Sequence, residues 1–244
     1  MKSEATHHPT VLVEPHDGWG ELIMSRPDRR NALVGPMVAE LRAGLAALLD
    51  GGARVILLRG EGGAFCSGLD VDAFSARPAW QATWPQDYAG FHRELYACPA
   101  VVVGALERYA INAGASLAFA CDLLVAGETA YVLIGEAAIG MQAPMNVAWL
   151  RLRTTEAVAA QLALGAERTS GAELHRLGLA YKVVADGSVV SEAQALTARL
   201  AGYPGKGLGA IKAAMRRTED QTDDIFATVQ RTEHATARPA RVTN

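Results

Sequence analysis

Three predominantly apolar runs constrain the fold of this chain more than any other feature. They are ARVILL at 53–58, PAVVVGAL at 99–106 and DLLVAG at 122–127. None of them alternates polar with apolar residues, so each predicts a strand buried on both faces, as in a parallel sheet. Helical patterns lie between and after the runs, which predicts an α/β fold with a helical C-terminal part. A chain of 244 residues is long enough to bury such a core.

The segments around these runs predict further elements. TVLVEP at 10–15 and GELIMSRP at 20–27 read as two strands joined at HDGW. Pro36 can occupy the first position of a helix over 36–50, which Gly51 and Gly52 end. The apolar face of that helix consists of Met37, Leu41, Leu45 and Leu48.

Helices dominate the remainder of the prediction. NAGASLAFAC at 112–121 is small and apolar all round, which is typical of a buried helix. After Gly140 the pattern is mostly helical. We expect helices at about 154–165, 170–177, 188–201, 205–217 and 220–235.

Composition excludes several classes of function. The net charge of −3 gives no general attraction to nucleic acid or to an anionic membrane. Cys66, Cys98 and Cys121 are far apart and form no CxxC pair, which argues against a disulfide scaffold and a zinc site. No signal-like apolar segment opens the sequence, and no apolar stretch approaches 18 residues. We therefore predict a cytoplasmic protein with no metal, membrane or nucleic-acid partner.

The stretch RGEGGAFCSGLD at 59–70 follows directly on the first apolar run. It contains four glycines, more than a simple turn requires. Glycines allow backbone to come close to a ligand or to another segment. Taken alone, the stretch favours an ordinary loop between a strand and a helix.

Five segments together resemble the crotonase superfamily, the enoyl-CoA hydratase/isomerase family. They occur in the family's order and cover nearly the whole chain. The segments are SRPDRRNAL, RGEGGAFCSGLDV, YAINAGASLAFACDLLVAGETA, IGEAAIGM and LGAERTSGAELHRLGLAYKVV. The resemblance implies a crotonase-like (ClpP/crotonase) fold with a repeated ββα core over 1–185. It further implies a C-terminal helical trimerisation region over 186–244, shortened at its end, in a homotrimer or a dimer of trimers.

The same resemblance implies chemistry on an acyl-CoA thioester, with CoA as part of the substrate and no separate cofactor. An enolate oxygen develops as the α-proton leaves, and two backbone N–H groups stabilise it. By resemblance these donors are the catalytic N–H groups of Ser67 and Asn112. The chain departs from the family in two places near the second donor. Asn-Ala-Gly at 112–114 replaces a glycine-rich triplet, and Glu107-Arg108 replaces the usual Asn-Gly.

Two positions that are acidic in the family's hydratases indicate the reaction type. The first falls on Ser116, which carries no carboxyl group, and the second falls on Glu136. One carboxylate can lift a proton at C2 and return it at C4, and the apolar residues around Glu136 would raise its pKa toward that of a useful base. We therefore expect Glu136 to be the catalytic acid/base and 3-enoyl-CoA to 2-enoyl-CoA isomerisation to be favoured.

Further residues are carried over as substrate contacts. Arg30 is expected to bind CoA phosphates, with Arg29 as the alternative, because a guanidinium fork suits phosphate. His92 and His175 are interpreted as surface or partner-bonded histidines, and Asp122 as a structural hydrogen-bonding residue. The other expected substrate contacts are Ala32, Ala64, Ser67, Leu69, Asp70, Asn112 and Ser116.

Three other functions stay open at this point. The first is hydration of a 2-enoyl-CoA by Glu136 alone, and the second is binding of acyl-CoA without catalysis. The third is an acyl hydrolase with Ser116 as the nucleophile. A serine nucleophile needs a histidine base, and no histidine lies between His92 and His175 in the sequence.

Overall fold

A computed structural model describes residues 9–216 of the chain. Nine strands form two sheets. In chain order they are β1 Val11–His16, β2 Trp19–Met24, β3 Val55–Gly60, β4 Val101–Leu106, β5 Tyr109–Ile111, β6 Leu123–Gly127, β7 Tyr131–Leu133, β8 Arg168–Ser170 and β9 Lys182–Val184.

Nine α-helices are present in the same range. They are α1 Gly35–Asp50, α2 Val71–Ser75, α3 Trp84–Ala97, α4 Ala113–Ala120, α5 Pro144–Arg153, α6 Glu156–Gly165, α7 Gly171–Arg176, α8 Val189–Ala201 and α9 Gly207–Met215. Four short 3₁₀ turns complete the elements, at Pro27–Arg29, Ala79–Ala82, Glu136–Ile139 and Asp186–Ser188.

The central sheet has the strand order β1-β2-β3-β4-β6-β9. β1 pairs antiparallel with β2, and every other pairing in the sheet is parallel. The predicted hairpin and the predicted parallel sheet are both confirmed. β5, β7 and β8 form a second sheet that the sequence did not predict, because strands of three residues show no periodic pattern.

Both faces of the central sheet are covered. Ile56, Leu58 and Val102 belong to the same buried cluster as the apolar face of α1, and the alternate residues of β3 and β4 pack with α8. This double burial is the reason that the three apolar runs show no polar alternation. The four residues predicted to form the apolar face of α1 are all buried, as expected: Met37, Leu41, Leu45 and Leu48.

The helical predictions are confirmed at α1, α4, α6, α7, α8 and α9 within a few residues. Helix α5 was not predicted, because its polar and aromatic residues interrupt the 3.6-residue repeat of apolar positions by which a helix is recognised. The predicted helix at 220–235 lies outside the described residues, as does the predicted shortening of the C-terminal region. Helix α8 falls in the region assigned to trimerisation, yet it completes the core by covering β3 and β4. No helix within 9–216 is long and apolar enough to cross a membrane.

Candidate active site

The glycine-rich loop after β3 engages most of its own N–H groups. Ser67 N–H donates to the carbonyl of Arg30 at 3.1 Å, and Asp70 N–H donates to the carbonyl of Leu33 at 2.9 Å. The expectation that Ser67 supplies a free N–H is therefore wrong, because that donor holds residues 25–33, the entry segment, against the loop. Among the described residues, nothing accepts a hydrogen bond from the N–H of Leu69, which is half-buried.

The N-terminus of α4 repeats this arrangement. Asn112 N–H donates to the carbonyl of Leu133 at 2.8 Å, so the expectation of a free donor at Asn112 is also wrong. Its side-chain Oδ1 accepts the N–H of Gly135 at 2.8 Å, and the residue has a φ of 50°. A positive φ is uncommon outside glycine, and asparagine is enriched among the residues that adopt one. Ala113 begins the helix, and within 9–216 its N–H has no acceptor.

These two segments run side by side. Cys66 and Ala110 form a parallel bridge, and Ile111 N–H donates to the carbonyl of Cys66 at 3.0 Å. Leu69 and Ala113 each lie three residues beyond the bridged pair. The two unused N–H groups therefore emerge from adjacent, paired backbone segments.

Glycines make this close pairing possible. A Cβ at Gly68 would lie 2.8 Å from the carbonyl oxygen of Ile111, and Gly68 has a φ of +93°. A Cβ at Gly114 would lie 2.6 Å from the carbonyl oxygen of Cys66. Both approaches are too short for any side chain, so the glycines serve the packing of one loop on the other.

Glu136 opens the 3₁₀ turn after β7, and its side chain is buried, with 8% exposure. Its Oε1 accepts a hydrogen bond from Asn146 Nδ2 at 3.2 Å. Its Oε2 is buried, and no described residue donates to it. Burial raises the pKa of Glu136 above the ordinary value of 4.5, and hydrogen bonding by its own backbone N–H and then by Asn146 offsets part of that rise. Glu136 is thus a buried carboxyl group with one oxygen uncommitted.

Ser116 is a residue of α4, and its side chain points into the protein interior. Its side chain is fully buried, with Oγ at 2.8 Å from Ala113 O, 2.9 Å from the Tyr88 hydroxyl and 3.2 Å from His92 Nε2. Three neighbours already engage this hydroxyl, and a contact between Ser116 and substrate stays a prediction. His92 is buried and also accepts a hydrogen bond from Trp149 Nε1, which confirms that it is partner-bonded.

The entry segment is tied to the glycine-rich loop by Asn31, a residue that the sequence analysis did not single out. Its Nδ2 donates to the carbonyls of Ala64 at 2.7 Å and Glu61 at 2.8 Å. Its Oδ1 accepts the N–H of Arg26 at 2.9 Å. A fully buried asparagine that bonds backbone on two loops fixes their spacing, and no sequence motif reveals this pairing in advance.

Both carboxylate oxygens of Asp70 form hydrogen bonds within the protein. Its Oδ1 caps α2 by accepting the N–H of Ala73 at 3.0 Å, and its Oδ2 pairs with Arg26 at 3.0 Å. Burial acts to raise the pKa of Asp70, but the Ala73 and Arg26 hydrogen bonds hold it below the usual value. The carboxylate therefore stays ionised, and its role in shaping the loop explains its position better than a substrate contact does.

The remaining predicted contacts lie on the entry segment and on the glycine-rich loop. Arg30 is exposed and has a φ of 55°. Ala32 and Ala64 are buried, and their carbonyl oxygens accept from Arg26 and Asn31. The structure thus brings the predicted residues of the two loops together, while a role of Arg30 in phosphate binding stays a prediction.

The order of these elements matches that of a known family along almost the whole chain. The model of the enoyl-CoA hydratase/isomerase family matches residues 16–239. The chain belongs to this family. A 1,2-epoxyphenylacetyl-CoA isomerase of Escherichia coli (strain K12) is 31% identical over 228 residues, which is 91% of this chain and 87% of that protein. The chain is thus an enzyme of the hydratase/isomerase family.

Solved structures confirm the crotonase-like fold. An enoyl-CoA hydratase from Polaromonas sp. JS666 superposes with a TM-score of 0.77 at 28% identity, covering 93% of this chain and 90% of that chain. A structure from Thermobifida fusca YX in complex with CoA superposes with a TM-score of 0.75 at 28% identity, covering 93% and 94%. The resemblance inferred from five short segments therefore extends to the fold of the enoyl-CoA hydratase/isomerase family.

Proposed function

We propose that this enzyme moves the double bond of a 3-enoyl-CoA to the 2-position, with Glu136 as its single acid/base. The observation that carries this proposal is the buried carboxyl group of Glu136, one oxygen of which has no donor among the described residues. A carboxylate with a raised pKa and a free oxygen is suited to accept a proton and to return it.

The unused N–H groups of Leu69 and Ala113 complete the site in this proposal. Removal of the C2 proton places negative charge on the thioester oxygen, and two fixed N–H donors stabilise that charge without reorganising. The paired backbone segments beside Gly68 and Gly114 hold both donors in place. Leu69 and Ala113 thus take the role that the sequence analysis gave to Ser67 and Asn112.

The position of Ser116 favours isomerisation over hydration. Hydration places a water over C3 and polarises it, a task for which the family's hydratases typically use a second glutamate. Here the position carries a buried hydroxyl held by Ala113 O, Tyr88 and His92. Double-bond migration needs no added water, so one carboxylate is sufficient.

A direct comparison of two substrates tests this proposal. Wild-type protein is incubated with a 3-enoyl-CoA and, separately, with the 2-enoyl-CoA of the same chain length, and the absorbance of the conjugated thioester is followed. We expect conjugation of the 3-enoyl-CoA to be faster than loss of the 2-enoyl-CoA. Efficient hydration with an untouched 3-enoyl-CoA would establish the hydratase instead, and turnover of neither would favour an acyl-CoA-binding role.

A further inference from the structure

Asn146 connects the Glu136 carboxyl group with the backbone at the start of α4. It is the third residue of α5 and is buried, with 2% exposure. Its Nδ2 donates to Glu136 Oε1 at 3.2 Å and also to the carbonyl oxygen of Asn112 at 3.0 Å. One amide nitrogen therefore uses both of its hydrogens, one on the carboxyl group and one on the backbone at the start of α4.

The second of these bonds acts on the peptide unit that bears the Ala113 N–H. The carbonyl of Asn112 and the N–H of Ala113 belong to the same planar amide. A hydrogen bond to the carbonyl fixes the plane of that amide and polarises it, which makes the N–H a better donor. The same Asn112 side chain holds Gly135, the residue before Glu136, through Oδ1 at 2.8 Å.

We propose that Asn146 is a positioning residue that sets the Glu136 carboxyl group and the Asn112–Ala113 amide at a fixed relative geometry. The proposal rests on the proposed function, because it gives those two groups their roles. The side-chain Oδ1 of Asn146 is buried, and no described residue donates a hydrogen bond to it. The amide is therefore oriented by its two donor contacts, since the reversed amide would place an oxygen against two acceptors.

Two other ionisable side chains of the described residues lie near Glu136, and neither carries a charge that would shift its pKa. Tyr88 of α3 and Cys66 of the glycine-rich loop face the same space, and burial keeps both neutral by raising their pKa values, that of Cys66 to about 12. The pKa of Glu136 itself reflects burial first and hydrogen bonding second, including the bond from Asn146. Removing that bond from the ionised carboxylate should raise the pKa of Glu136 further.

The test compares Asn146→Leu with wild type by pH profiles of 3-enoyl-CoA isomerisation. Leucine is of similar size to asparagine and removes both donors. We expect kcat to fall by roughly 10- to 100-fold, with little change in KM, and the acidic limb of the kcat profile to move to higher pH. The matched control is Met145→Ala, since Met145 is buried on the same helix and makes no hydrogen bond to Glu136 or Asn112 through its side chain. Its acidic limb should stay at the wild-type pH.

An acidic limb that does not move in Asn146→Leu would overturn the proposal, and so would an equal shift in Met145→Ala. If Asn146→Leu does not fold, Asn146→Ser serves as the second variant, because its shorter side chain withdraws the amide and stays polar. Glu136→Gln is measured in the same series. A fully active Glu136→Gln refutes the proposed function, whereas an inactive Glu136→Gln with an unmoved Asn146→Leu limb refutes this inference alone.

Discussion

His92 Nε2 lies 3.2 Å from Ser116 Oγ, yet the imidazole cannot take the proton of that hydroxyl. Its Nδ1 accepts the indole N–H of Trp149 at 2.8 Å, and an indole nitrogen only donates. The neutral ring therefore carries its proton on Nε2, which faces Ser116. Burial lowers the pKa of His92 to about 3, so the ring remains neutral at physiological pH.

This tautomer predicts that the protein does not hydrolyse acyl-CoA. The pair of Ser116 and His92 has the spacing of a nucleophile and its base but the wrong proton arrangement. We expect a thiol reagent to detect no free CoA above the uncatalysed rate. Nitrogen NMR of His92 should show a protonated Nε2 and an unprotonated Nδ1. Release of CoA at a rate comparable to isomerisation would contradict this reading.

Ser116→Ala should affect stability more than catalysis. The change leaves the His92 Nε2–H without its Ser116 acceptor in a buried site, which costs about 1–3 kcal/mol of unfolding free energy. Isomerisation should stay within about tenfold of wild type, because the proposed proton transfer uses Glu136 and gives the buried Ser116 hydroxyl no part. Chemical denaturation and initial rates measure the two effects. Lost turnover in a stably folded Ser116→Ala would show that the hydroxyl takes part in the reaction.

Backbone esters distinguish the donor assignments without changing side chains. Replacing Leu69 by its α-hydroxy analogue removes one N–H from the proposed oxyanion site and should lower kcat by about 10²–10³-fold. The same replacement at Ser67 removes the bond to Arg30 O and should cost mainly stability, about 1 kcal/mol. A larger loss of kcat at Ser67 than at Leu69 would return the donor role to Ser67.

Glu136→Gln should stabilise the fold at neutral pH. Burial raises the pKa of Glu136, so the folded state disfavours the ionised form more than the unfolded state does. That penalty is present above the unfolded pKa of about 4.5 and disappears as the pH falls below it. We expect a gain on the order of 1 kcal/mol at pH 7 that shrinks toward pH 4, measured by thermal unfolding. A gain that does not change with pH would show that charge is not its cause.

The sequence predicts the fold well where burial is continuous. The three apolar runs and the apolar face of α1 identify the central sheet and its first covering helix, because burial on both faces leaves a clear pattern. The second sheet is not predicted from the sequence. Its strands have only three residues each, and they are held by long-range pairing such as that of Cys66 with Ala110. Local patterns carry no information about such contacts.

The sequence predicts which segments form the candidate site, but it does not predict which N–H groups in them are free. Glu136 and the two loops are identified correctly as neighbours, but the free N–H groups lie at Leu69 and Ala113 and not at Ser67 and Asn112. Which N–H remains unused depends on the partners of every other N–H in the loop, and those partners come from distant segments. Asn146 was missed for the same reason, because its role arises from contacts 10 and 34 residues away.

Hydrogen exchange at C2 of a 3-enoyl-CoA in D₂O tests the central claim most directly, because it follows the proton that Glu136 is proposed to remove. Proton NMR records loss of the C2 signal alongside formation of the conjugated product. We expect wild type to show both and Glu136→Gln, correctly folded, to be slower in both by at least about 10²-fold. Exchange by Glu136→Gln at the wild-type rate would contradict the assignment of Glu136 as the acid/base.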